Sequence, residues 1–318
     1  MAFNDIKPVE KIDVYSKKSL NKADDKLRIL RKRIKGNRLE KSKTLELRRL
    51  EIIRNYLADS LDYIVKSFPS VKDLTEFYRQ LISANIGIEE LKKSFGALNW
   101  ARKKIDELFR KYSSIIRKAK DTKNITRARK ESQGRIFSVL KQVKKDFEFL
   151  ESARKTLVNL PVVKSGIFTA AIAGFPNVGK STLLGKLSKS KPKVAGYAFT
   201  TKGIMVGYIE KEIQLLDTPG TLDRVEKMNW IEIQAHLAMK LVADMIVYVF
   251  DPTETYSLKK QEMLYKRIKK FGKPVVVFVS KTDIAEEERV DELKEKYDAL
   301  TDVSELKKRL LESVADKP

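Results

Sequence analysis

The segment Gly174-Phe175-Pro176-Asn177-Val178-Gly179-Lys180-Ser181 fits the pattern G-x-x-x-x-G-K-[ST], and no other stretch of the chain restricts its fold as much. A loop of this kind works between a buried strand and the start of a helix. An apolar run over residues 167–173 precedes it, and Thr182-Leu183-Leu184-Gly185-Lys186-Leu187 follows as a helix start. The glycines let backbone N–H groups turn onto phosphate oxygens. The helix N-terminus adds the positive end of its dipole. Asn177, Val178, Gly179, Lys180, Ser181 and Thr182 are therefore the expected phosphate contacts. Lys180 is placed to bridge the β- and γ-phosphates, and the Ser181 hydroxyl to ligate Mg²⁺.

Further motifs follow in chain order. Asp217-Thr218-Pro219-Gly220 closes an apolar strand, so Asp217 can hold Mg²⁺ and the Gly220 N–H can reach a γ-phosphate. Between the two motifs, Thr200-Thr201 offers a hydroxyl that completes the Mg²⁺ shell only when that phosphate is present, as a nucleotide switch requires. Ser280-Lys281-Thr282-Asp283 follows another strand. Asp283 can accept from guanine N1 and N2, an arrangement that adenine does not offer, and the Lys281 stem can lie over the base. The strands expected are 167–173, 204–209, 213–216, 245–250 and 275–279. The second and third are too close for a crossover and should form a hairpin. The result is a mostly parallel α/β sheet with one antiparallel strand.

The first half of the chain reads differently. Residues 1–160 carry 40 Lys+Arg against 21 Asp+Glu, whereas 161–318 carry 26 against 22. Most of the chain's formal +23 thus belongs to the first half, and a polyanionic partner is the expectation there. Glycine and proline are sparse in it, and apolar residues recur at three- and four-residue steps. Helices are expected at about 17–35, 40–67, 71–85, 89–119 and 123–157, packed as an all-α bundle. Ser70 with Asp73 reads as the cap and acidic first turn of the third. The expected domains are a basic helical bundle, 1–160, and an α/β domain, 161–318. Trp100, Phe95, Phe109 and Tyr112 read as bundle core, and His236 as a packed or surface residue. With no Cys and one His, a disulfide framework, a thiolate zinc site and multi-His metal sites are excluded. No transmembrane run or leader is expected, and a cytoplasmic monomer is.

From about residue 166 to 318 the chain resembles a Ras-like P-loop GTPase domain. Tyr197-Ala198-Phe199-Thr200-Thr201 is similar to the Obg-like branch of translation-associated GTPases. Asp217-Thr218-Pro219-Gly220-Thr221-Leu222-Asp223-Arg224, with Asn229-Trp230-Ile231-Glu232-Ile233-Gln234-Ala235, resembles the Nog family of nucleolar GTP-binding proteins. The chain ends as a short, archaeal-type member would. The resemblance implies GTP and GDP as ligands, Mg²⁺ as cofactor, and a role in maturing the large ribosomal subunit. It also implies that the helical domain contacts rRNA or a pre-ribosomal particle, with no membrane partner. It places Thr221 where Ras-like enzymes use a water-orienting Gln, which implies slow hydrolysis with Lys180, Thr201, Gly220 and Thr221 as the catalytic set. Asn177 is where some relatives recruit K⁺. Asp298-Ala299-Leu300 is the match to the last guanine loop, making Ala299 a base contact. Ser280 replaces the family's Asn, which ties the base loop to the phosphate loop, so weaker nucleotide affinity is expected. A second reading is an RNA-binding scaffold that is stabilised by nucleotide and turns over little or no GTP.

Overall fold

The computed structural model describes residues 3–188, 193–194, 204–218, 230–253 and 256–315. Thr200, Thr201, Gly220 and Thr221 lie outside the described residues.

The helical half is built from α1 (Ile12–Arg33), α2 (Arg38–Ser67), α3 (Glu76–Asn85), α4 (Ile88–Lys118), α5 (Thr122–Gln142) and α6 (Lys144–Val158). Local chemistry sets their ends. Asn37 caps α2 by accepting from the Glu40 N–H at 2.9 Å, and Glu40 accepts from the Asn37 N–H in return. Asp121 caps α5 by accepting from the Asn124 N–H at 2.7 Å. The apolar steps of α2, α4 and α5 form a common core in which Ile53, Leu57, Leu61, Leu98, Ile105, Ile125 and Ile136 are buried.

Three expectations change. The helix expected over 123–157 is two helices, broken at Val143, whose φ of −99° and ψ of 18° leave the helical region. The buried stripe nevertheless continues through Leu140, Val143, Phe147 and Leu150, so apolar spacing does not reveal the break. Ser70 does not start the third helix. Its carbonyl accepts from the Asp73 N–H within a 3₁₀ turn, and α3 begins only at Glu76. Trp100 is 44% exposed rather than core.

The chain divides into two compact units, and the division is not a single cut at 160. One unit comprises 3–73 with 86–158. The other takes 74–85 together with 159–318. Helix α3 explains the difference. Within that unit it packs against α8 (Trp230–Leu237) and that helix's π-helical continuation, Ala238–Val242, and it buries Phe77, Tyr78, Leu81 and Ile82. The Tyr78 hydroxyl donates to the Pro161 carbonyl and accepts from the Val163 N–H, both at 2.9 Å.

The α/β unit holds a six-stranded sheet in the order β2-β3-β4-β1-β5-β6. Its strands are β1 (Phe168–Ala173), β2 (Lys193–Val194), β3 (Met205–Ile209), β4 (Ile213–Asp217), β5 (Met245–Phe250) and β6 (Val275–Val279). Strand β3 runs antiparallel to both neighbours, β2 and β4, as the short 209–213 connection requires. Strands β4, β1, β5 and β6 are parallel. Every residue of β1, β4 and β5 is buried, as expected of strands covered on both faces. Helices α7 (Lys180–Leu187), α9 (Leu258–Lys269), α10 (Glu287–Tyr297) and α11 (Val303–Ala315) complete the unit. Among the described residues no helix is long and apolar enough to cross a membrane.

Candidate nucleotide-binding site

Four parallel strands share one carboxyl edge, and the motif residues collect there because each follows or ends one of those strands. The phosphate loop follows β1, Asp217 ends β4, Asp251 follows β5 and Ser280 follows β6. This edge, at the point where strand order reverses about β1, is where open α/β sheets bind ligands.

The phosphate loop depends on backbone that glycine permits. Gly174 has φ 149°, and a Cβ there would lie 2.7 Å from the Val249 carbonyl oxygen. Gly179 has φ 92° and stands as the N-cap of α7. The first intrahelical bond runs from the Leu183 N–H to the Gly179 carbonyl, so the N–H groups of Ser181 and Thr182 have no acceptor within the helix. They form the donor cluster that an anion needs. Lys180 is 7% exposed, and its ammonium donates to the Phe175 carbonyl of its own loop at 2.6 Å. Asn177, with φ 62°, is exposed on the loop.

Ser181 and Asp217 meet as the sequence implies, the Ser181 hydroxyl donating to Asp217 Oδ2. Asp217 is 5% exposed, and its other oxygen, Oδ1, is buried without a hydrogen-bond partner among the described residues. Burial pushes this carboxyl up, against the lowering pull of the Ser181 hydrogen bond and the Lys180 ammonium. A buried carboxylate oxygen without a donor is costly, and a hard cation is one group that would satisfy it.

The loop that follows β6 joins the phosphate loop through Ser280. Its Oγ lies 2.7 Å from the Val178 carbonyl and 3.0 Å from the Phe250 carbonyl. A hydroxyl can span the position where the family uses a longer amide. It has a single proton for two acceptors, so it donates to one of them at a time. Asp283 is exposed at the same loop.

Family models complete the assignment. One described as the NOG1 N-terminal helical domain matches residues 3–164, and one described as a 50S ribosome-binding GTPase matches residues 169–281. The chain belongs to the Nog family. Nucleolar GTP-binding protein 1 of Candida glabrata is 31% identical over 279 residues, covering 85% of this chain and 43% of that protein. Its Drosophila melanogaster counterpart is 30% identical over 266 residues, covering 81% and 41%. An uncharacterized protein of Methanocaldococcus jannaschii is 41% identical over 256 residues, 79% of this chain and 73% of that one. The chain spans less than half the length of the two eukaryotic relatives. Among solved structures, a Plasmodium falciparum protein described as nucleolar GTP-binding protein 1 matches with TM-score 0.39 and 24% identity, over 49% of this chain and 91% of that one.

Within this Nog-family GTPase, sequence reasoning missed Asp251. It is fully buried after β5, and its Oδ2 accepts from the Lys281 ammonium at 2.6 Å. Oδ1 accepts from both the N–H and the hydroxyl of Thr253, at 3.0 and 2.6 Å. Gln261 of α9 brackets its backbone, accepting from the Asp251 N–H at 2.9 Å and donating to its carbonyl at 2.8 Å. Burial works to raise this carboxyl, but the Lys281 and Thr253 donors outweigh it and hold it below its ordinary value. The Lys281 stem expected over the base is thus pinned at its far end. An Asp just past an apolar strand of a parallel sheet was the available signal.

Ala299, the expected base contact, lies in the loop after α10. Its side chain belongs to the α/β core, and its N–H donates to the Lys294 carbonyl at 3.2 Å. Leu300 bridges to Phe278 in parallel, which puts Ala299 one step back from the carboxyl edge and Thr301 one step towards it. His236 packs its ring edge-on against Phe271 with centroids 5.0 Å apart, and burial lowers its pKa. It is a packing residue.

Proposed function

We propose that this Nog protein is a guanine-nucleotide switch that hydrolyses GTP slowly and acts in large ribosomal subunit assembly, its basic helical unit contacting rRNA. The observation that carries the reading is the convergence of Lys180, the Ser181–Asp217 pair and the Ser280–Val178 tie at one sheet edge. A phosphate chain and a base need such groups in that order along the edge. The description of the matching GTPase family as 50S ribosome-binding, and the charge of residues 1–160, support the ribosomal partner.

The donor set suits Mg²⁺. Ser181 and Asp217 offer hard oxygens, one of them a buried carboxylate oxygen without a partner among the described residues, and Thr201 is the third ligand the sequence proposes. Bound Mg²⁺ would supply charge neutralisation at the β- and γ-phosphates. Lys180 and the N–H groups at the start of α7 hold and orient the phosphates. Gly220 donates to the γ-phosphate, and Asp283 selects guanine. Thr221 reaches the attacking water poorly, which keeps the intrinsic rate low. Asn177 is the residue through which K⁺ would add charge beside the phosphates.

Calorimetry with GDP, GTP and ADP, and single-turnover hydrolysis with and without ribosomal particles in K⁺ or Na⁺, test this reading. GDP binding well above ADP, and hydrolysis accelerated by particles, are expected. Equal GDP and ADP affinities would overturn the role of Asp283. Hydrolysis that no condition accelerates would favour the scaffold reading.

A further inference from the structure

We propose that Trp100, on the outer face of α4, is a stacking platform for an unpaired base of the RNA that the helical unit binds; the proposal rests on the rRNA reading above. A 44%-exposed indole in the middle of a 31-residue helix is not explained by the fold. Helix α4 buries Leu91, Leu98, Ala101 and Ile105 on its inner face, and Trp100 stands off that stripe.

The helix surface around it is shaped for a flat, anionic ligand. Helical side chains lean towards the N-terminus, over the residues three and four positions back. Here those residues are Ala97 and Gly96. Gly96 has ordinary helical backbone, and a Cβ there would meet nothing within 4 Å. A glycine in a helix interior costs about 1 kcal/mol relative to alanine, and neither packing nor conformation demands it at this position. What it does provide is a bare shelf beside the indole. Lys93, Lys103 and Lys104 lie one or two turns away and are exposed. Lys104 pairs with Glu107, while Lys93 and Lys103 have no ion-pair partner among the described residues.

A nucleobase with its flanking phosphates matches each of these features. The base stacks on the indole and the phosphates meet the lysines. Proteins recognise single-stranded RNA in this way, whereas paired bases in A-form helices are inaccessible to stacking. An apolar protein partner would satisfy the indole but would gain nothing from the lysine ring.

The protein has two tryptophans, which makes the test direct. Emission of the full chain is compared with that of Trp100→Phe, in which Trp230 is the remaining indole. The titrants are a hairpin RNA with an unpaired purine loop, a fully paired duplex of equal length, and inorganic polyphosphate. The loop RNA should quench the Trp100 component, while polyphosphate and the duplex should bind without quenching it. Trp100→Ala should weaken loop-RNA binding by about five- to a hundred-fold and leave the salt slope and the duplex affinity unchanged. Trp100→Phe should recover part of the loss. Circular dichroism confirms that each variant is folded. Loop RNA that binds without quenching, or with affinity insensitive to Trp100→Ala, overturns the stacking site and leaves the RNA reading standing. Polyphosphate quenching equal to that of RNA also overturns it. No RNA binding at any salt concentration overturns the RNA reading and the site with it.

Discussion

Ser280 shows how much a single hydroxyl can keep of a longer side chain's work. The sequence implied that replacing Asn would loosen the base loop. In the structure the serine still reaches the Val178 carbonyl at 2.7 Å. A neutral hydrogen bond is worth roughly 1 kcal/mol net. Ser280→Ala should therefore weaken GDP binding about five- to ten-fold, and Ser280→Asn should match or exceed the native affinity. Discrimination against ADP should not change in either variant, because the proposed reading assigns it to Asp283; calorimetry reads both effects. Asp217 gives the opposite kind of prediction. Its carboxyl is raised by burial, so ionising it costs the nucleotide-free fold free energy, and that cost vanishes as pH falls through the raised pKa. Asp217→Asn should stabilise the nucleotide-free protein, by about 1 kcal/mol, and abolish Mg²⁺-dependent GTP binding. Thermal melts across pH 4–8, where the variant's gain should shrink towards acid, check the first part. Asp217 and Ser181 were legible from sequence because their spacing follows from strand and loop chemistry. Asp251 was not, because its role exists only once β5 and β6 lie side by side and bring Lys281 to it.

Helix α3 is the element whose place the sequence hid. Its apolar spacing is that of its neighbours, and periodicity reports that a face is buried but not against what. The break at Val143 escaped for a related reason, since the buried stripe runs through it unchanged. The strands were more legible. Runs such as 245–250 and 275–279 have the length and branching of buried strands, and turns bound them closely. Packing against α8 is joined by hydrogen bonding at one side chain. The Tyr78 hydroxyl, buried, serves both the Pro161 carbonyl and the Val163 N–H. Tyr78→Phe leaves both backbone groups without that partner and should cost about 1–3 kcal/mol. The expected result is a lower melting temperature, with hydrogen exchange at the Val163 amide accelerating well before that of β1.

At the scale of the whole molecule, charge and compact units divide the chain differently. The basic excess lies in residues 1–160, but 74–85 forms one compact unit with 159–318. A fragment ending at 160 would keep the charge but lose α8, against which α3 packs, and the Pro161 and Val163 partners of the buried Tyr78 hydroxyl. It should self-associate, visible as a concentration-dependent light-scattering mass, so weak RNA binding by such a fragment would not argue against the charge. The electrostatic contribution is better read in the full chain. Lys118, Lys120 and Lys123 crowd the turn between α4 and α5, exposed and without ion pairs among the described residues. Each phosphate they neutralise releases condensed counterions, so log affinity falls with log salt by about 0.7 to 0.9 per contact. Changing all three to Gln should reduce that slope by about 2 to 3 and weaken loop and duplex RNA alike, because phosphates carry no sequence information. The Trp100 substitution should leave the slope intact and separate the two RNAs. An unchanged slope in the triple variant would move the RNA-facing surface away from this turn.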